Sequence, residues 1–144
     1  MTTVAWDGKT LAADSQTTTG SIRGTAAKIA KSRDGFLVAG SGDWCVIKTW
    51  INWVLDGMPS DKQPDHCKES NIIVIDPRGH ATVFEDVAVA LPVPRKQWAI
   101  GSGSDLALGA MAMGADARTA VKVAAKFDVY TGGRIVVLTP GKAT

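Results

Sequence analysis

The amino-acid sequence predicts a layered α+β fold. Short strand-like runs joined by tight glycine turns fill most of the chain up to Ile100, one clear helical period interrupts them, and two adjacent helical stretches precede a final strand. Strands and helices do not alternate as βαβ units, and no internal repeat is present.

Residues 4–6 and 10–14 read as two strands joined at Asp7-Gly8, a turn dipeptide that tolerates the positive φ a tight hairpin needs. A polar segment rich in Thr and Gly follows over residues 17–24. Residues 26–31 and the apolar run 36–40 then form a second expected hairpin around Arg33-Asp34-Gly35. From Asp43, a good N-cap, the apolar residues Val46, Ile47, Trp50, Ile51, Val54 and Leu55 recur at helical spacing, and Gly57 with Pro59 ends the helix. Residues 58–70 are polar, contain two prolines and read as a loop. Residues 71–75 and 80–84 flank the turn Asp76-Pro77-Arg78-Gly79, and Pro92 and Pro94 interrupt the chain before a strand at 97–100. Beyond Gly101-Ser102-Gly103, Ser104 or Asp105 can cap a helix of small residues and methionines through Met113. Asp116 caps another through Phe127, and residues 134–138 form the last strand.

The 144 residues are enough for a single domain, expected to span 1–144, with one core and no need of disulfides. A hydrophobic share of 45% is ordinary for a globular chain, and a scattered net charge of +2 argues against a nucleic-acid surface. The opening residues lack the basic and apolar regions of a signal peptide, and no apolar run approaches the ~20 residues that span a bilayer. A cytoplasmic protein without a membrane role is expected. Cys45 and Cys67 fit a reducing compartment, and His66 beside Cys67 lacks the second ligand pair of a zinc site.

Chemistry is concentrated at the start of the chain. Thr2 and Thr3 follow Met1 directly, so loss of one methionine would leave a threonine bearing both a hydroxyl and a free α-amine. Such an amine titrates near ~7.7–8.0 and can take the proton of its own hydroxyl. The alternative is an ordinary cytosolic start. The alkoxide also needs nearby positive charge. Lys28, set among small apolar residues, is a better inward ammonium than Lys31 beside its polar turn, and Asp14 at the end of an apolar strand could supply the counter-charge. Taken singly, each of these residues also suits a surface salt bridge.

In combination the residues are more specific. Thr2-Thr3, Ala13-Asp14-Ser15, Lys28-Ile29, Ala39-Gly40 with Asp43, Gly101-Ser102-Gly103 and Asp128-Val129-Tyr130-Thr131-Gly132-Gly133 occur in this order nearly end to end. The chain thereby resembles the catalytic β-subunits of the proteasome, nearer in its brevity to the bacterial HslV-type peptidases. The resemblance implies the four-layer αββα sandwich of N-terminal nucleophile hydrolases. It implies a threonine endopeptidase in which Thr2 attacks, its amine is the base, Lys28 lowers the pKa of hydroxyl and amine, and Asp14 orients Lys28. The Gly40 N–H would hold the oxyanion, Ser102, Asp128 and Thr131 would position the amine and its water, and Thr18 would pair with an extended polypeptide substrate. It further implies a homo-oligomeric ring, an ATP-driven unfoldase partner and no metal or organic cofactor.

The chain departs from that pattern in two places. Residues 58–70 stand where a second outer-layer helix belongs, so one helical layer is expected to be reduced, and the turn after Ala39-Gly40 is one residue short. Trp44, Trp50 and Trp53 share the first helix, and one left exposed would suit a subunit interface. The competing reading is a non-proteolytic relative acting as a scaffold or regulatory subunit.

Overall fold

The structure, a computed structural model, describes residues 2–142; the expected removal of Met1 falls outside the described residues. It is a mixed α/β fold with two four-stranded sheets, one two-stranded ribbon and three α-helices among the described residues. The first sheet is built on the hairpin of β1 (Thr3–Trp6) and β2 (Leu11–Ala13), with β9 (Trp98–Gly101) beside β1 and β10 (Val136–Leu138) beside β2, all antiparallel. The second sheet runs in chain order through β5 (Ile29–Lys31), β6 (Leu37–Gly42), β7 (His66–Ile75) and β8 (Ala81–Pro92).

Period-two alternation decides which side chains meet. Val4, Trp6, Leu11 and Ala13 point from the first sheet toward Leu37, Ala39, Ile73 and Ile75 of the second, and together they form a core between the sheets. The intervening residues face outward. Ala5 and Ala12 pack on Ala107 and Met111 of α2 (Ser104–Ala112) and on Ala117, Ala120 and Val121 of α3 (Ala117–Phe127). Val38, Ile72 and Val74 pack on Ile47, Trp50, Ile51 and Val54 of α1 (Trp44–Leu55). Strands buried on both faces must be apolar at consecutive positions, which is why these runs lack a polar alternation.

Four expectations are corrected. The polar segment at 17–24 is itself a ribbon, β3 (Gln16–Thr19) paired with β4 (Ile22–Thr25), whose period was hidden because neither face joins an apolar core. The expected loop at 58–70 contains a 3-10 turn, Ser60–Lys62, and the first residues of β7. There the strand holds Cys67 in the core beneath α1 and then bulges between Cys67 and Asn71, with Glu69 at φ 57°, so its polar residues sit on an irregular stretch. Likewise β8 continues through Pro92, and Val93 N–H donates to Ala81 O at 3.1 Å, folding the end of the strand back along its beginning. Helix α2 begins after Gly103 with no side-chain cap, and Ser104 is already helical.

The indoles of α1 divide. Trp50 is fully buried with its ring 4.6 Å from Phe84, Trp53 is half-buried, and Trp44 is exposed at the first helical position. None of the helices among the described residues is long and apolar enough to cross a membrane.

Candidate active site

The pairing of β1 with β2 brings the first residues of the chain against Asp14. Thr3 N–H donates to Asp14 Oδ1 at 3.1 Å, Asp14 N–H returns a bond to Thr3 O at 3.3 Å, and Gly132 N–H donates to Asp14 Oδ2 at 2.9 Å. The Lys28 ammonium lies 3.5 Å from Asp14 Oδ1 and donates to the backbone carbonyl of Gln16. Both side chains are buried, at 0% exposure for Asp14 and 4% for Lys28, whereas Lys31 is exposed. Burial pushes the Asp14 carboxyl above its ordinary 3.8 and the Lys28 ammonium below its ordinary 10.5, each partly opposed by the other's charge. An ammonium so placed costs desolvation, which the facing anion and carbonyl offset.

Thr2 is enclosed beside this pair. Its Oγ1 is buried and has no hydrogen-bond partner among the described residues, a costly state for a hydroxyl. Its carbonyl lies 3.4 Å from Ser102 Oγ. The single Ser102 hydroxyl proton goes to Asp128 Oδ2 at 2.5 Å. Thr131 Oγ1 donates to the same oxygen at 2.6 Å, so the Thr3 hydroxyl, 2.6 Å from Thr131 Oγ1, must be the donor in that contact. Burial opposes the Asp128 charge, but the Ser102 and Thr131 hydroxyls and the Tyr130 N–H hold its carboxyl below the usual 3.8. Asp14 with Lys28 and Asp128 with Ser102 and Thr131 therefore form two polar clusters bridged by Thr3.

An open cavity of about 470 Å³ adjoins the first cluster, with Lys28 in its wall. Thr17, Thr18 and Thr19 of β3 line one side, and Asp43, Trp44 and Ile47 at the start of α1 line another. Thr18 is half-buried there, opposite Arg23 in the ribbon.

Gly40 is not placed as expected. Its N–H donates to Lys28 O at 3.1 Å as part of the sheet, and a Cβ on it would meet Ile72 and Ile47 side chains at 2.8 and 2.9 Å, in the layer beneath α1. Successive N–H groups of a strand alternate sides, so that of Gly42 points the same way as Gly40's but beyond the end of β5, and Gly42 lines the cavity. The sequence reading also missed Thr3, Gln16 and Gly132 as bonding partners of the Asp14 and Lys28 pair. All three act through the backbone, which no residue type announces.

No protein-family model matches the chain, and no curated protein matches its sequence. Solved structures do. The Thiobacillus denitrificans protein BPH, in complex with epoxomicin, superposes with a TM-score of 0.75 at 20% identity, over 100% of both chains. This chain shares the fold of BPH. A second structure of BPH matches with a TM-score of 0.70 at 22% identity over 98% of each chain. At such identity the likeness establishes architecture, not chemistry.

Proposed function

We propose that the chain is a threonine endopeptidase subunit, a single N-terminal nucleophile hydrolase domain over residues 1–144 with an αββα sandwich of which the α1 side is reduced to one helix. The observation that carries this reading is the buried Asp14–Lys28 pair beside a Thr2 hydroxyl that has no partner among the described residues. A surface salt bridge would not be dehydrated, and buried hydroxyls are mostly bonded, Ser15 Oγ being the other exception among the described residues. The likeness to BPH, whose structure holds epoxomicin, a proteasome inhibitor, supports it.

After removal of Met1, Thr2 Oγ attacks the peptide carbonyl while the α-amine takes the hydroxyl proton, directly or through a water. Lys28 stabilises the alkoxide and Asp14 keeps Lys28 charged and aimed. The amine and its water are oriented by Ser102, Asp128 and Thr131. A backbone N–H facing the cavity, that of Gly42 in place of Gly40, holds the tetrahedral oxyanion, a contribution of about 3 kcal/mol. The amine leaves with the proton, and water releases the acyl group from Thr2. Substrate lies extended along Thr18. The reading includes a cytoplasmic homo-oligomeric ring fed by an ATP-driven unfoldase.

Intact mass spectrometry before and after epoxomicin tests the site, since an epoxyketone closes a ring on both hydroxyl and α-amine. Loss of Met1 and a single adduct on Thr2, absent in Lys28→Ala, is the expected result. Retained Met1 in the purified protein would instead support a scaffold or regulatory subunit.

A further inference from the structure

The cavity beside Lys28 differs from a plain apolar slot in its charge. Among the described residues that line it, Lys28 and Asp43 alone carry charge. The Lys28 ammonium is buried against Asp14, so that pair is neutral as a unit. Asp43 is different. It is exposed, and only its Oδ1 is engaged, accepting from Cys45 N at 2.8 Å and Val46 N at 3.3 Å as the N-cap of α1. No hydrogen bond to Oδ2 occurs among the described residues. The next residue is Trp44, whose indole is 39% exposed on the same wall, and Ala26 and Ile47 supply apolar surface.

A carboxylate with an open oxygen next to an accessible indole recognises a particular chemistry. A guanidinium can offer N–H groups to the carboxylate and stack its plane on the aromatic face, while its methylene stem lies on apolar wall. A carboxylate side chain would meet repulsion from Asp43 and find no unpaired cation among the described lining residues. The cavity volume, about 470 Å³, admits a long side chain. We infer that this cavity receives the side chain on the acyl side of the cleaved bond and selects an arginine-like cation through Asp43 and Trp44.

The inference rests on the threonine-peptidase reading, so the experiment separates the two. Purified native assembly is assayed with four fluorogenic tripeptides that differ only in the residue before the cleaved bond: arginine, its neutral isostere citrulline, leucine and glutamate. The expected order of kcat/KM places arginine first and glutamate last. The arginine-to-citrulline ratio should fall roughly fivefold in Asp43→Asn, in line with an exposed ion pair in water. Asn caps a helix as Asp does, so the fold is retained, and Asp43→Ser, another capping residue without charge, gives the same readout. The wild-type ratio should also fall as salt rises, a change that a purely structural Asp43 would not produce. Trp44→Ala should lower arginine more than leucine. Cleavage with an arginine-to-citrulline ratio near one, or a ratio unmoved by both Asp43 variants and by salt, overturns the specificity and leaves the peptidase reading standing. Failure to cleave any of the four, with no epoxomicin adduct on Thr2, removes both.

Discussion

Gly101 closes on the carbonyl of Thr2: with Gly101 at φ +100°, a Cβ there would stand 1.9 Å from Thr2 O and 2.9 Å from Ser41 Oγ. The β9 residue paired with Thr3 thus doubles as a stop that sets how deep the first residues of the chain sit against Asp14. The glycine is required twice over, by its dihedral and by the closeness of backbone to backbone.

Gly101→Ala should therefore cost roughly 1–3 kcal/mol from the left-handed backbone alone, with more from the displaced Thr2. Urea unfolding measures the first effect and epoxomicin labelling the second. A variant that unfolds and labels like the parent would show that the contact is dispensable.

Lys28→Met leaves a buried carboxylate without its cation and should cost about 3–5 kcal/mol. Adding Asp14→Asn to it should recover most of the lost stability, since an apolar side chain beside a neutral amide removes both charges. Neither variant should label with epoxomicin. A double variant as unstable as Lys28→Met would mean that the cost is packing rather than charge.

The pH dependence of this lysine has opposite signs for stability and activity. Its folded pKa lies below the unfolded value of 10.5, so between the two the unfolded chain binds more protons and stability rises with pH. Over the same window the ammonium that serves Thr2 is lost, so the alkaline limb of kcat/KM should fall before pH 10.5. Thermal melts and rate profiles of parent and Lys28→Met across pH 8–11 check both, and the stability rise should be absent from the variant.

Asp128 behaves in the reverse sense. Its folded pKa is below 3.8, so the stability it contributes is complete above that value and is lost as pH falls through the folded pKa. Asp128→Asn should flatten the acid limb of the melting curve. It should also slow epoxomicin labelling at neutral pH, because Ser102 and Thr131 lose a charged acceptor.

Trp50→Ala should destabilise the chain by about 3–5 kcal/mol, because a fully buried indole packed on Phe84 leaves a cavity beneath α1. Trp44→Ala should change stability by less than about 0.5 kcal/mol, since its indole packs no core. Calorimetry on the two variants makes the comparison, and equal losses would contradict the assignment of Trp44 to a binding wall.

Much of this arrangement was legible in the amino-acid sequence by itself. The Asp7-Gly8 hairpin, the Asp43 and Asp116 caps and the apolar stripe of α1 follow from local rules, because turn chemistry and periodicity act over a few residues. The candidates at 2, 14 and 28 follow from their residue types and surroundings, and those at 102, 128 and 131 from the family resemblance. Tertiary structure decided what local rules cannot reach. It engaged the Gly40 N–H in the sheet and left Gly42 at the cavity. It also began β7 inside residues 58–70, whose polarity suggests a loop, and carried β8 past residue 84 to Pro92. The physical reason is common to all of these. Backbone donors look alike at every position, so their direction depends on strand register, and a strand outside the apolar core carries no hydrophobic period to read.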